Sequence, residues 1–126
     1  MKRVFVFLTV LILLCSSIPG ALAAQTNVVD NAGLLTSAEE SSLEQAIARI
    51  VSDHSMDAVI VTVDSLNRKT AQQYADDYYD HNGYGIGANF SGILLLIAMD
   101  EREWAVSTCG DAISTITNIE IDSIMY

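Results

Sequence analysis

The chain is poor in basic residues, proline and cysteine, and each shortage removes a class of explanation. Six Lys and Arg face sixteen Asp and Glu, for a net charge of −10. No Lys/Arg cluster interrupts that field, which repels nucleic acid and anionic headgroups and attracts cations. The single proline, Pro19, lies near the start, so no Pro-rich linker divides the remainder of the chain. Cysteine occurs only at Cys15 and Cys109, and Cys109, His54 and His81 show no zinc-ligand spacing. Long apolar runs are missing too: the stretch Val4–Leu14 falls short of the roughly 20 residues a membrane-spanning helix needs.

That stretch reads as a leader. Met1-Lys2-Arg3 is basic, Val4–Leu14 is an apolar core, and Pro19 breaks the segment. Ala21-Leu22-Ala23 supplies the small residues of a cleavage site, which puts the cut between Ala23 and Ala24. Leu14 ahead of Cys15 is not the small residue that lipoprotein processing uses. We expect a signal peptide over 1–23, one domain over 24–126, and an extracytoplasmic location, secreted or in the cell envelope. Only Arg49, Arg68, Lys69 and Arg102 then oppose the acids. Cys109 is left without a partner for an internal disulfide and is expected to be buried as a small hydrophobe.

Past the leader, Val28-Val29 and Leu34-Leu35 flank a polar turn in which Asp30 and Asn31 suit side-chain-to-backbone bonds. Thr36-Ser37-Ala38-Glu39 has capping-box spacing, and Leu43, Ala46, Ile47, Ile50 and Val51 form an apolar stripe at helical spacing up to Asp53-His54. Ala58–Val63 is a β-branched run that reads as a buried strand. Asp64–Lys69 is a loop, and Thr70 caps a second helix with Ala71, Tyr74, Ala75, Tyr78 and Tyr79 on its apolar face. A Gly/Tyr loop, Gly83–Gly87, leads to Ile93–Ala98, an apolar run that suits a strand covered on both faces. The charged corner Met99-Asp100-Glu101-Arg102 connects it to Glu103–Thr108 as a hairpin. Asp111 or Asn118 can cap helical segments near the end. Strand, helix, strand and hairpin give an α/β class with a βαβ unit and a mixed sheet.

Chemistry in this pattern is sparse. The glycine loop is G-x-G-x-G ahead of a strand, not G-x-G-x-x-G ahead of a helix, so no dinucleotide fingerprint is present. Asp76, Asp77 and Asp80 read as a solvated helix face. Ser91 lacks the G-x-S-x-G setting of a hydrolase nucleophile, and Asn89-Phe90-Ser91 matches an N-glycosylation sequon. The best-argued cation site is Asp64, Asp100 and Glu101, which a parallel sheet brings to its carboxyl-end edge. Hard oxygen ligands of this kind suit calcium or magnesium. A charged hairpin corner accounts for the same residues.

The opening Asp30/Gly33, Tyr74-Ala75, the glycine-rich loop, Ile93–Ile97, Arg102 and Gly110 together resemble the TPM domain family. The loop and Arg102–Gly110 look most like versions from Gram-positive bacteria. Gly92, Arg102 and Gly110 match the family pattern, whereas its aspartate before the strand is replaced here by Asn89 or Ser91. The resemblance implies a three-layer α/β/α, Rossmann-like domain and mixed roles, from accessory factors of membrane complexes to a phosphatase with calcium nearby. Relatives run on past the point that corresponds to Tyr126, so the domain is expected to be incomplete here. Two functions follow as expectations. One is an accessory module binding a membrane protein complex or a cell-envelope protein. The other is a calcium- or magnesium-assisted phosphatase, with Asp64, Asp100 and Glu101 on the cation and Arg102 on the phosphate.

Overall fold

The computed structural model describes residues 25–125; the expected leader and its cleavage site lie outside them. Helix α1, Ser37–His54, starts at a full capping box. The Thr36 hydroxyl accepts from the Glu39 N–H at 3.3 Å, and the Glu39 carboxylate accepts from the Thr36 N–H at 2.8 Å. It ends at Ser55, which is left-handed at φ 52° and donates its N–H to the Val51 carbonyl. Helix α2, Ala71–His81, repeats the device with Thr70 and Gln73. Two short helices follow, α3 (Ala112–Thr115) and α4 (Asn118–Met125). The cap of α4 is Thr117 with Glu120, not Asn118: the Thr117 N–H donates to the Glu120 carboxylate at 2.8 Å. Thr117 and Glu120 have the same T-x-x-E spacing as Thr36 and Glu39.

Four strands form one sheet in the order β1 (Val28–Asp30), β2 (Asp57–Val63), β3 (Gly92–Ala98), β4 (Glu103–Cys109). The first three are parallel, and β4 returns antiparallel on β3, opposing Val106 to Leu95. Alternation along β2 splits the interior in two. Val59, Val61 and Val63 join Leu94, Leu96, Ala98 and Ala105 beneath Ala71, Ala75 and Tyr79 of α2. Ala58, with the half-buried Ile60, turns the other way, toward Val28, Ile47 of α1 and the half-buried Leu43 and Val51. Helices therefore lie on both faces of a mixed sheet, with a βαβ unit followed by a hairpin, as the sequence pattern implies.

Several local expectations are corrected. Strand β1 is an addition: its three residues, between a polar turn and a loose leader, carry too little pattern to be read as a strand. Strand β3 is fully covered on one face only. Leu94 and Leu96 are completely buried, while Ile93, Leu95 and Ile97 on the opposite face are half-buried. The cause is the placement of α1, which packs on β1 and β2, meets β3 at Ile93 and leaves Leu95 beside an open groove. In β4 the small residues Ala105 and Ser107 are the buried set, because α2 lies close over them, and Trp104, Val106 and Thr108 are half-buried. Cys109 is half-buried, not buried, since it is the last residue of this edge strand.

The two faces of β3 should respond differently to truncation. Leu94→Ala is expected to cost about 2–5 kcal/mol as a closed cavity, and Leu95→Ala less than about half of that, because solvent already reaches its side. Urea unfolding of the two variants measures the difference; equal losses would contradict the one-sided burial.

Candidate functional site

The carboxyl ends of β1, β2 and β3 share one edge, and the acidic residues expected there are present. Asp30, at the end of β1, is tied down on every side. Its carboxylate accepts from the Thr62 hydroxyl, from the Leu34 N–H at 3.0 Å and from the Leu35 N–H at 2.7 Å. Gly33 makes the turn inside this loop at φ 66°, a left-handed conformation that costs glycine little. The Thr62 hydroxyl also accepts from the Ala32 N–H at 3.1 Å, so β2 holds both sides of the turn. These bonds, that from Thr62 first and that from Leu35 next, hold the Asp30 carboxyl below the usual carboxylate range.

Asp64 and Asp100 are neighbours through their backbones, the Asp100 N–H donating to the Asp64 carbonyl at 2.8 Å. Glu101 reaches across from the hairpin corner and accepts from the Ser65 hydroxyl and the Leu66 N–H, each at 3.1 Å. Leu66 is buried, so this carboxylate fastens the loop after β2 to the corner after β3. Arg102 is exposed at φ 56° and lines a shallow hollow with Ile97, Met99 and Trp104. Among the described residues no three Asp, Glu, His or Cys side chains gather into a set that could hold a metal ion. The donors at this edge do not fit the calcium or magnesium site expected of Asp64, Asp100 and Glu101.

The remaining motif positions lie at the opposite edge. Gly92 begins β3, where a Cβ would overlap the Tyr79 hydroxyl oxygen. That hydroxyl donates to the Phe90 carbonyl at 2.9 Å, and burial pushes its pKa up, keeping it neutral. Gly110, at φ 60°, passes so close that a Cβ would meet the Asn89 carbonyl and the Ser91 hydroxyl, both at 2.6 Å. Ser91 exchanges bonds with Asp111, whose N–H donates to the Ser91 Oγ at 3.0 Å. Asn89 itself is exposed and presents its carbonyl to the Cys109 Sγ at 3.7 Å. The glycine loop is pinned: the Gly85 N–H donates to Asp57 at 3.0 Å, and the buried Tyr84 donates its hydroxyl to the Thr26 carbonyl at 2.9 Å. Asp57 also accepts from the Asn27 side chain. Sequence reasoning missed Asp57 and Asn27 because their partners are far apart along the chain, and it read Asp111 as a helix cap, whereas the Asp111 side chain makes no cap bond and accepts from the Ser91 hydroxyl.

The acidic cluster of α2 behaves as a solvated face. Asp77 pairs with Lys69 at 2.6 Å and Asp76 accepts from Gln72 at 2.8 Å. Beyond it, an open apolar groove of about 470 Å³ runs between the half-covered face of β3–β4 and the C-terminal helices, lined by Ile93, Leu95, Val106, Ile116 and Ile121.

A model of the TPM domain matches residues 28–126. The chain belongs to the TPM domain family. This TPM domain is also similar to UPF0603 protein YdjH of Bacillus subtilis, at 32% identity over 98% of the chain and 48% of that protein. It thus spans about half the length of that curated relative. Among solved structures it is similar to the N-terminal domain of a protein from P. gingivalis, with a TM-score of 0.71 and 25% identity over 82% of this chain and 67% of that one. The N-terminal domain of cg2496 from Corynebacterium glutamicum shares the fold, with a TM-score of 0.61 and 19% identity over 85% of this chain and 66% of that one.

The depressed Asp30 carboxyl makes an acid-limb prediction. A group ionised more readily when folded contributes stability that is complete above its unfolded value, about 4, and is lost as pH falls through the lower folded value. Asp30→Asn should melt earlier than the parent at pH 7, and the gap should shrink as pH falls below about 4. Melting curves across that range check it; a gap independent of pH would contradict the bonding described.

Proposed function

We propose that this TPM domain is an extracytoplasmic accessory module that works by binding a membrane or cell-envelope protein complex. The observation that carries the reading is the half-covered sheet face, where Ile93, Leu95 and Val106 line an open groove with Ile116 and Ile121. Apolar surface of this kind, rimmed by the polar Thr115, Glu120 and Ser123, is a mark of an interaction site. The carboxylates at the other candidate position support the same reading, because Asp30 and Glu101 serve as acceptors for their own loops. Placement outside the cytoplasm rests on the leader-like residues 1–23.

The competing reading, phosphate-ester hydrolysis assisted by calcium or magnesium, gives the experiment. Hydrolysis of a chromogenic aryl phosphate is followed with millimolar calcium or magnesium for the parent chain and for Asp100→Asn. The accessory reading predicts no turnover above buffer for either. Metal-dependent turnover that Asp100→Asn abolishes, with its melt unchanged, would overturn it.

A further inference from the structure

Among the described residues the sheet stops at β4, and no strand pairs with its outer edge. The Met99 N–H donates to Val63 of β2, which aims the odd-numbered residues of β3 at β2 and the even-numbered ones at β4. The register then pairs odd-numbered β4 residues with β3 and leaves the backbone groups of Val106 and Thr108 pointing outward. Gln72 of α2 confirms the direction, since its Nε2 reaches the Val106 carbonyl from outside at 3.3 Å. That bond is long, and the same nitrogen makes a shorter one, 2.8 Å, to Asp76. A side-chain amide thus stands where the N–H of an added strand would stand.

The edge also forms the floor of a trough. Its walls are Gln72 of α2 on one side and Ile121 and Asp122 of α4 on the other, with Val106 and Ala105 between them. Asp76, held by Gln72, and the exposed Asp122 put a carboxylate on each wall, and Glu103 stands exposed at the start of the strand. Among the nearby cations, Lys69 is already paired with Asp77.

Resting on the binding reading above, we propose that β4 is a docking edge for an extended basic peptide segment of the partner, which adds as a fifth strand. The backbone of Val106 and Thr108 supplies the ladder, and Val106 with Ile121 takes apolar side chains at alternate positions. On the opposite wall, Asp76 and Glu103 take Lys or Arg at the others. The same charges oppose edge-to-edge pairing of two copies of this chain, since like carboxylates would face each other across the new ladder.

The probe is a capped eight-residue peptide of alternating Lys and Val, with alternating Glu and Val as its control. Amide hydrogen exchange and chemical-shift titration are read on the ¹⁵N-labelled protein. Added Lys/Val peptide should slow exchange at the Val106 and Thr108 amides by about tenfold or more at saturation, with affinity falling as salt is raised. The Glu/Val peptide should leave them unchanged. Asp76→Lys with Glu103→Lys should weaken binding by about tenfold. Val106→Pro, tolerated at an outward-facing N–H, should abolish it, and Gln72→Ala should strengthen it. If either of the first two variants fails to fold, Gln72→Ala still gives a signed result. No protection at millimolar Lys/Val peptide would overturn the proposal, as would protection that grows with protein concentration in the absence of peptide. Turnover alongside protection would sink the accessory reading and leave the edge intact. Neither turnover nor protection would sink the edge and leave that reading standing.

Discussion

The hydroxyl of Tyr79 lies where a Cβ on residue 92 would have to be, and much of one end of the molecule depends on that contact. Gly92 is the first residue of β3, paired to β2 on one side and β4 on the other. Seating the phenol there presses α2 onto the sheet and lets the hydroxyl satisfy the Phe90 carbonyl at 2.9 Å. Tyr79 is almost wholly buried, and Tyr84 packs against it at 6.1 Å between ring centroids. Tyr84 continues the stack through Tyr78 to Tyr74. The loop between α2 and β3 is therefore bound by aromatic packing and by the Asp57 carboxylate. It is not the flexible connection that its glycines suggest.

The opposite end is organised by carboxylates acting as acceptors. Asp30 closes the turn after β1, and Glu101 ties the loop after β2 to the corner after β3. The Asp30 carboxylate, which satisfies two backbone N–H groups of its loop, is stabilised in its ionised form and holds that loop against solvent. This use of acidic residues suits a chain with few cations, since loop amides can do what Lys and Arg would otherwise do. It also explains how an acidic sheet edge at the usual ligand position of an α/β fold can be structural.

The regular elements were legible because their signals are local. Thr36 with Glu39, and Thr70, announced the two main helices from the residue just before each, and the tyrosines of α2 and the stripe of α1, except its exposed Ile50, marked the packed faces. Strand β3 was legible as a strand but not in its coverage, because an unbroken apolar run looks the same whether one face or both are packed. Three residues of β1 carry too little pattern to read. The side-chain knot of Asn27, Asp57 and Gly85 was invisible because its partners are 28 and 30 residues apart. The grouping of Asp64, Asp100 and Glu101 at one edge was correctly derived from topology. Where Glu101 points is a side-chain choice, and topology does not decide it.

The central proposal is that the strand-end carboxylates of Asp30 and Glu101 serve their own loops in place of a cation. A thermal melt with and without millimolar calcium tests it most directly, because a ligand that binds only the folded chain must raise Tm. The account predicts one cooperative transition at the same temperature in both conditions. A saturable rise in Tm that Asp64→Asn or Asp100→Asn removes would contradict it.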